Sequence, residues 1–278
     1  MAGQFQPIGV FDSGYGGLTI LKDFIQELPQ YDFIYLGDNA RAPYGSRSFE
    51  VVYEYTLQSV KKLFEMGCHL VILACNTASA KALRNIQQHD LPTLDPNRRV
   101  LGVIRPAVEA IGEFTRNGHV GILGTAGTVL SNSYPIELEK WANGKVVQTT
   151  QEACPIWVPL VENNEIDSPG TDFFVSKNIS NLLKSDTEID SIILGCTHYP
   201  LLLPTIKKFV PDNIKLMEQG KVVTQKLVEY LKRHPEMDRK CSKSGIVKYY
   251  TTENVEIFER NATTFLGKTI KSEKVILK

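Results

Sequence analysis

Two cysteines stand at matching points of the sequence, each directly after a short apolar run that ends in a small residue. Cys75 follows Leu70–Ala74, and Gly195-Cys196 follows Ile192–Leu194. Polar residues come next in both places, which indicates a helix that begins where a strand has ended. A thiol at a helix N-terminus lies at the positive end of the helix dipole, which stabilises its thiolate. The pattern predicts two reactive thiols able to exchange protons with a substrate, although a buried structural cysteine can have the same local sequence.

An acid and a histidine accompany the two cysteines in a form suited to acid–base chemistry. Asp12 ends the first apolar run of the chain, so it is either a turn-former or an acid–base partner. His198 lies two residues after Cys196, as in a nucleophile with its base, a metal-binding pair, or a coincidence. Short polar residues stand where helix N-termini bind anions, or where they simply cap those helices: Ser13, Asn76, Thr77 and Thr197.

The glycine-rich turn Asp12–Gly17 lacks the features of a nucleotide-binding loop. It does not have the G-x-G-x-x-G spacing, and no phosphate-loop lysine follows it. No lysine stands in a context typical of pyridoxal phosphate attachment, and no C-x₂-C pair indicates zinc. One metal arrangement remains conceivable, and it would use Cys75, Cys196, His198 and Glu152. The sequence predicts neither a cofactor nor a metal.

The elements that must position these residues alternate between short apolar strands and amphipathic helices. The longest predicted helix runs from Ser48 to Met66, with Ser48 as its cap and Gly67 as its stop. This alternation predicts an α/β fold with mainly parallel sheets covered by helices on both faces. The predicted strands are Ile8–Phe11, Phe33–Leu36, Leu70–Ala74, Val100–Ile104, Val120–Leu123, Val146–Thr149, Ile192–Leu194, Lys215–Met217, Ile246–Tyr250 and Lys274–Leu277.

A weak internal repeat divides the chain into two similar halves. Ile8–Ser13 resembles Val120–Thr125, and Leu70–Thr77 resembles Ser191–His198. The repeat predicts two similar α/β domains, related by a pseudo-twofold axis, with an active site in the cleft between them. Because ligands bind beyond the carboxyl ends of parallel strands, both cysteines are predicted to face that cleft. The predicted domains are residues 1–98 with 212–278, and residues 99–211.

Composition and charge limit the classes of partner. The chain has 278 residues, with 31 Lys and Arg against 31 Asp and Glu, so charge gives no reason to expect nucleic acid or an anionic membrane surface. No apolar run approaches the roughly 20 residues that span a bilayer, and residues 1–7 lack the features of a signal peptide. An odd number of cysteines without an export signal predicts free thiols in a reducing cytoplasm. Cys68, Cys154 and Cys241 lack the strand-end context and are predicted to be structural or incidental.

Five motifs, in order along the chain, resemble those of the glutamate racemase family within the aspartate/glutamate racemase superfamily. They are Gly9–Gly17, Tyr35–Asp38 with Ala42–Gly45, Ala74–Ser79, Glu152–Pro155 with Val158–Glu162, and Gly195–Pro200. The similarity extends from about Ile8 to Leu231. Arg105 stands where an acidic residue is usual, and Glu218–Gly220 stands where an Asp-Ser-Gly triplet is usual. The C-terminal segment is assigned from its pattern alone.

The resemblance implies a cofactor-independent racemase that interconverts L- and D-glutamate by removing the Cα proton on one face and returning a proton on the other. It implies that Cys196 takes the proton from L-glutamate and that Cys75 serves the opposite face. Asp12 is implied to assist Cys75, while His198 and Glu152 assist Cys196. The residues implied to hold substrate are Asp12, Ser13, Tyr44, Gly45, Asn76, Thr77, Thr197 and His198. A homodimer in a bacterial cytoplasm, supplying D-glutamate for peptidoglycan, is implied as well.

Two alternatives stay open at this point. One is an aspartate racemase or another member of the superfamily, with the same chemistry and a shorter pocket, although the histidine in Cys196–Pro200 favours glutamate. The other is a catalytically silent binding or inhibitor protein on the same fold. The presence of both cysteines, Asp12 and His198 favours the enzyme.

Overall fold

The computed structural model describes residues 5–277. Residues 1–4 and 278 lie outside the described residues. They include the first four of the seven residues considered for a signal peptide and both outer ends of the predicted domain 1–98 with 212–278. The strands are β1 Ile8–Asp12, β2 Phe33–Gly37, β3 Leu70–Leu73, β4 Arg99–Gly102, β5 His119–Gly124, β6 Gln148–Ala153, β7 Ser191–Gly195, β8 Lys215–Met217, β9 Val247–Thr251 and β10 Ser272–Lys274.

Helices connect these strands, and most are amphipathic. The α-helices are α1 Leu18–Glu27, α2 Phe49–Glu65, α3 Asn76–Lys81, α4 Leu83–Asn85, α5 Leu91–Leu94, α6 Ile104–Ala110, α7 Ala126–Leu130, α8 Ser133–Trp141, α9 Trp157–Glu162, α10 Pro169–Ser185, α11 Leu203–Phe209, α12 Gln219–Arg233, α13 Pro235–Asp238 and α14 Val255–Leu266. Single turns of 3₁₀ helix occur at Asn39–Arg41, Ile111–Glu113 and Tyr199–Leu202, and a π-helical turn occurs at Ile86–Asp90.

The strands form two wholly parallel sheets. One has six strands in the order β10-β9-β2-β1-β3-β4, and the other has four in the order β6-β5-β7-β8. We call the two halves the six-stranded lobe and the four-stranded lobe. The order β2-β1-β3-β4 in the first sheet is repeated as β6-β5-β7-β8 in the second. The predicted α/β fold with two similar lobes is therefore confirmed.

Strands β1, β3 and β7, which lead to Asp12, Cys75 and Cys196, are buried on both faces, as parallel strands beneath two helical layers must be. In β1, Ile8 and Val10 join one apolar cluster while Phe11 joins another. The same alternation occurs in β3, where Ile72 and Leu73 belong to different clusters. Helices on both faces therefore hold β1 and β3 in fixed positions.

The predicted ends of the long helix α2 are confirmed. The Ser48 side chain accepts a hydrogen bond from the Val51 amide at 3.3 Å, which satisfies one of the free N–H groups of the first turn. At the other end Gly67 has a φ of +95°, a left-handed conformation that glycine adopts without steric cost. The sequence signals at both ends of α2 were therefore sufficient.

Three elements differ from the sequence-based expectation. The strand predicted at Val146–Thr149 lies at Gln148–Ala153, because these residues pair in register with β5. The strand predicted at Lys274–Leu277 lies at Ser272–Lys274, where it pairs with β9. The single helix predicted after Cys75 is divided into α3, α4 and the π-helical turn.

The predicted division into domains 1–98 with 212–278, and 99–211, remains a proposal. Strand pairing differs from that division at two places. Arg99–Gly102 pairs with β3 in the six-stranded sheet, and Lys215–Met217 pairs with β7 in the four-stranded sheet. A division that follows the sheets therefore has each boundary a few residues further along the chain.

Candidate active site

The carboxyl ends of the repeated strands meet at one cavity of about 80 Å³ between the lobes. Nine residues predicted from the sequence line it: Ser13, Tyr44, Gly45, Cys75, Asn76, Thr77, Cys196, Thr197 and His198. Cys75 comes from the end of β3 and Cys196 from the end of β7, so each lobe contributes one thiol. The two cysteines of the repeat therefore share one cleft.

Cys75 caps the short helix α3 with its sulfur atom. The Ala78 amide donates a hydrogen bond to Cys75 Sγ at 3.4 Å, and the Ser13 hydroxyl oxygen lies 3.4 Å from the same sulfur. These contacts favour the thiolate, but burial outweighs them. Burial, followed by the charge of Asp12, raises the pKa of the Cys75 thiol to about 12. The sequence-based prediction of a stabilised thiolate is therefore wrong for Cys75, because desolvation exceeds the effect of one helix turn.

Asp12 lies behind the cleft at the end of β1 and is 1% exposed. Its carboxylate accepts a hydrogen bond from the Gly14 amide at 2.9 Å and one from the Thr197 hydroxyl at 3.4 Å. Burial raises the pKa of Asp12, while the charge of His198 and the amides of Gly14 and Gly17 act in the opposite direction. Asp12 thus contacts the Cys196 segment through Thr197, and its charge acts on the Cys75 thiol, although Asp12 does not itself line the cleft.

Cys196, His198 and Glu162 form a chain of polar contacts in the four-stranded lobe. Cys196 Sγ lies 3.9 Å from His198 Nδ1, and His198 Nε2 lies 2.9 Å from Glu162 Oε1. Burial of the imidazole opposes its protonation, yet the hydrogen bonds and charges of Cys196 and Glu162 together raise the pKa of His198 to about 10. A protonated His198 can therefore face the sulfur of Cys196 with a carboxylate behind it.

Glu152, the carboxylate predicted to assist Cys196, lies elsewhere. Its Oε1 accepts hydrogen bonds from Asn178 at 2.7 Å and from Asn181 at 3.1 Å, both on α10. It does not line the cleft. Glu152 is the penultimate residue of β6, which leads toward the cleft, but strand side chains alternate between faces, and this one faces α10. The carboxylate beside His198 is Glu162, at the end of α9.

Tyr44 is held against the cleft by a buried acid, and Gly45 by a backbone hydrogen bond from the opposite lobe. The Asp38 carboxylate is fully buried, accepts the Tyr44 hydroxyl and pairs with Arg41 Nε at 2.6 Å. It also accepts a hydrogen bond from the Thr252 hydroxyl at 2.9 Å. The Gly45 carbonyl accepts a hydrogen bond from the amide of Gly127 across the cleft, at 2.7 Å.

One threonine of the four-stranded lobe, Thr125, completes the polar wall, and the sequence reasoning missed it as a candidate site residue. Thr125 Oγ1 lies 2.9 Å from Thr77 Oγ1 and 3.1 Å from Thr128 Oγ1. Thr125 aligns with Ser13 in the internal repeat, and Ser13 was predicted to hold substrate. The repeat itself therefore held the signal that could have identified Thr125.

The remaining cysteines differ in their positions. Cys154 lines the cleft and directly follows β6, whereas the sequence analysis predicted that it lacks a strand-end position. Cys68 and Cys241 are buried outside the cleft lining, and all five thiols are free. Among residues 5–277, no three His, Cys, Asp or Glu side chains are grouped as metal ligands. No helix in that same range is long and apolar enough to cross a bilayer.

A second, larger cavity of about 740 Å³ lies at the C-terminal end of α3, where Ser79 and Lys81 line it. None of the residues predicted to be catalytic or substrate-binding lines this cavity. Size therefore does not identify the active site, and the convergence of the two cysteine motifs does.

Comparison with known proteins agrees with this geometry. Residues 18–233 match the family model described as Asp/Glu/Hydantoin racemase. The glutamate racemase of Persephonella marina is 37% identical over 271 residues, which cover 97% of each chain. A glutamate racemase isoform of Bacillus anthracis superposes with a TM-score of 0.88 at 34% identity, over 98% of both chains. The glutamate racemase of Francisella tularensis solved with D-glutamate superposes with a TM-score of 0.83 at 29% identity, over 98% of this chain and 97% of its own. The chain therefore belongs to the glutamate racemase family, a branch of the Asp/Glu/Hydantoin racemases, and is an amino-acid racemase.

Proposed function

We propose that this racemase interconverts L- and D-glutamate with Cys75 and Cys196 as its two bases, without a cofactor. The observation that carries the proposal is that the two thiols line one cavity from opposite lobes. A substrate carbon held between them has one sulfur on each face. Family membership supports glutamate as the amino acid.

The proposed reaction conserves protons at every step. With L-glutamate, the Cys196 thiolate takes the Cα proton and becomes a thiol, leaving the electron pair on Cα. The Cys75 thiol then donates its proton to the opposite face of Cα and becomes a thiolate. With D-glutamate the two sulfurs exchange roles, so each must be able to hold a proton or give it up.

The surroundings of the two sulfurs supply what the reaction requires. A protonated His198, held by Glu162, can donate toward the Cys196 sulfur while that sulfur carries charge. Asp12 can serve the Cys75 side, since its charge acts on that thiol. Both cysteines are only 6% exposed, so little water competes with the proton transfers.

The substrate carboxylates are proposed to bind groups at the helix starts. Free amides at the N-terminus of a helix attract anions, and the hydroxyls of Thr77, Thr125 and Thr197 lie at such places. Ser13, Tyr44 and Gly45 form the wall contributed by the six-stranded lobe. Asn76 lines the same cavity from the start of α3.

A racemisation assay in D₂O tests the function directly. Wild-type protein is expected to convert each enantiomer of glutamate into the other, with deuterium appearing at Cα of the product. Cys75→Ser and Cys196→Ser are each expected to abolish inversion, and Cys241→Ser, outside the cleft, serves as the matched control. Near-normal inversion by either cleft variant would refute the two-thiol scheme.

The same assay separates the two alternative functions. An aspartate racemase would invert aspartate faster than glutamate under the same conditions. A catalytically silent binding protein would place no deuterium at Cα of either enantiomer. His198 and the two cleft thiols favour an active glutamate enzyme over both.

The cellular role is proposed by extension. D-glutamate made by this reaction would supply peptidoglycan synthesis in a bacterial cytoplasm, and the protein would act as a homodimer. Sedimentation analysis tests the dimer, and loss of cell shape on depletion, restored by added D-glutamate, tests the role.

A further inference from the structure

A closed ring of three buried hydrogen bonds lies directly behind Cys75. The Asn76 amide donates to Gln219 Oε1 at 2.7 Å, the Gln219 amide donates to the Tyr134 hydroxyl at 2.7 Å, and that hydroxyl donates to Asn76 Oδ1 at 2.8 Å. All three side chains are buried. Since each group donates to the next, the bonds polarise one another and fix the orientation of both amides.

The ring joins elements from both sides of the cleft. Asn76 begins α3 of the six-stranded lobe, Tyr134 lies on α8 of the four-stranded lobe, and Gln219 begins α12. Gln219 Nε2 also lies 3.3 Å from the Val103 carbonyl, in the segment that leads from one lobe to the other. Helix α12 itself packs against α1 and α6. The ring is therefore a fixed point between the lobes.

The same ring contacts the neighbours of both thiols. Asn76 directly follows Cys75. The ring of Tyr134 packs against Gly195, the residue before Cys196, so closely that a methyl group on Gly195 would lie 3.2 Å from Tyr134 Cε2. One tyrosine side chain thus spans the two cysteine segments, with its hydroxyl at one and its ring at the other.

We propose that Tyr134 and Gln219 are positioning residues that set the separation of the Cys75 and Cys196 sulfurs. The inference rests on the proposed two-thiol function. Neither side chain lines the cleft, so neither is a substrate ligand. Their effect comes through Asn76 and Gly195, and a displacement of about 1 Å at a reacting group can cost roughly a hundredfold in rate.

Gln219 is one of the positions at which the chain departs from the resemblance described above. Its side chain donates to Tyr134 and to the Val103 carbonyl while it accepts from Asn76. A shorter side chain with a single O–H donor, such as serine, cannot donate to both. The three-membered ring therefore depends on glutamine at this position.

The test compares inversion with exchange on one face of Cα. Tyr134→Phe keeps the aromatic ring against Gly195 and removes only the hydroxyl, while Gln219→Met keeps the length of the side chain and removes its amide. Tyr53→Phe is the matched control, because it removes a hydroxyl that donates to Asp90 at 2.6 Å, away from the cleft. Each protein is incubated with L-glutamate in D₂O, and deuterium is measured in both recovered L-glutamate and newly formed D-glutamate.

Abstraction of the proton requires one sulfur, whereas inversion requires both at the correct separation. Inversion is therefore expected to fall about tenfold to a hundredfold in Tyr134→Phe and Gln219→Met. Exchange into recovered L-glutamate is expected to fall much less, so the ratio of exchange to inversion rises about tenfold. The KM for glutamate is expected to stay near the wild-type value in Tyr134→Phe and Gln219→Met. In the control Tyr53→Phe, exchange and inversion are both expected to proceed at near wild-type rates.

If Tyr134 and Gln219 only stabilise the fold, their variants should lose exchange and inversion in the same proportion. A ratio of exchange to inversion equal to that of wild type would therefore overturn the proposal. Unchanged inversion in both variants overturns it as well. If Tyr134→Phe fails to fold, Gln219→Met decides, because it leaves the bond from the Tyr134 hydroxyl to Asn76 in place. Absence of both exchange and inversion in wild-type protein would instead refute the two-thiol function itself.

Discussion

His198 Nε2 and Glu162 Oε1 lie 2.9 Å apart, and the opposite nitrogen of the same imidazole faces the Cys196 sulfur. This contact links a carboxylate at the end of α9 to a thiol at the end of β7 through one buried ring. The glutamate that contacts His198 on this side of the cleft is therefore Glu162, whereas Glu152 contacts α10.

Removing the Glu162 charge is expected to impair the Cys196 side of the reaction. Glu162→Gln should lower kcat roughly tenfold to a hundredfold, because the hydrogen bond and charge that raise the pKa of His198 are lost. The alkaline limb of the pH–rate profile should also move to lower pH. Glu152→Gln is the matched control, since that carboxylate contacts α10 and does not line the cleft. A larger loss in Glu152→Gln than in Glu162→Gln would contradict this assignment.

The stability of the protein should depend on the proton of His198. Its pKa is about 10 in the folded state against an ordinary value of 6.5, so its contribution to stability is complete below pH 6.5 and is lost as the pH rises toward 10. Urea unfolding of wild type and His198→Gln across this range measures the effect. Wild type should lose more free energy of unfolding than the variant between pH 6.5 and 10, and parallel curves would show that the imidazole carries no such shift.

A methyl group added to Gly16 should displace side chains that line the cleft. It would overlap Thr197 Oγ1 and His198 Nδ1, so both side chains would have to move. Gly16→Ala is therefore expected to lower kcat/KM by about a hundredfold or more. Gly170→Ala is the control, because the nearest atom to its added methyl lies 3.5 Å away, at van der Waals distance. Full activity in Gly16→Ala would show that racemisation does not require Thr197 and His198 in their present positions.

Thr125 should contribute to binding of a substrate carboxylate. Thr125→Val removes the hydroxyl that faces Thr77, and a lost hydrogen bond to a charged group costs about 1.5–3 kcal/mol, so KM for glutamate should rise about tenfold or more. Thr125 also caps α7 by accepting from the Thr128 amide. Thr125→Ser keeps both functions and should restore a near-normal KM, whereas equal defects in the two variants would argue against a role for the hydroxyl.

Much of the fold could be predicted from the sequence because parallel strands buried on both faces leave uninterrupted apolar runs. β3 and β7 are such runs, and the cysteines that follow them were placed correctly at the cleft. The strand at Gln148–Ala153 was predicted too early, since its residues are polar and only their pairing with β5 defines them. Local pattern cannot indicate a strand whose position is set by its neighbour.

Site residues could be predicted where the internal repeat or a motif contained them. They could not be predicted where the direction of a side chain determines whether it reaches the cleft. Glu152 and Glu162 belong to the same motif. The side chain of Glu152, on β6, points toward α10, whereas Glu162, at the end of α9, contacts His198. The pKa of the Cys75 thiol was also predicted in the wrong direction. Helix position can be read from sequence, whereas the degree of burial of a sulfur atom depends on the assembled lobes.

The two thiols follow similar sequence motifs but differ in whether the sulfur caps a helix. The Cys75 sulfur accepts the Ala78 amide and so caps the N-terminus of α3. Cys196 is followed by the 3₁₀ turn Tyr199–Leu202, and its sulfur caps no helix. Alkylation with iodoacetamide at Cys75 would therefore remove a cap of α3, a contact that the same adduct at Cys196 would leave in place. An inhibitor that reacts with the first thiol would thus leave behind a protein that is easier to melt and to proteolyse.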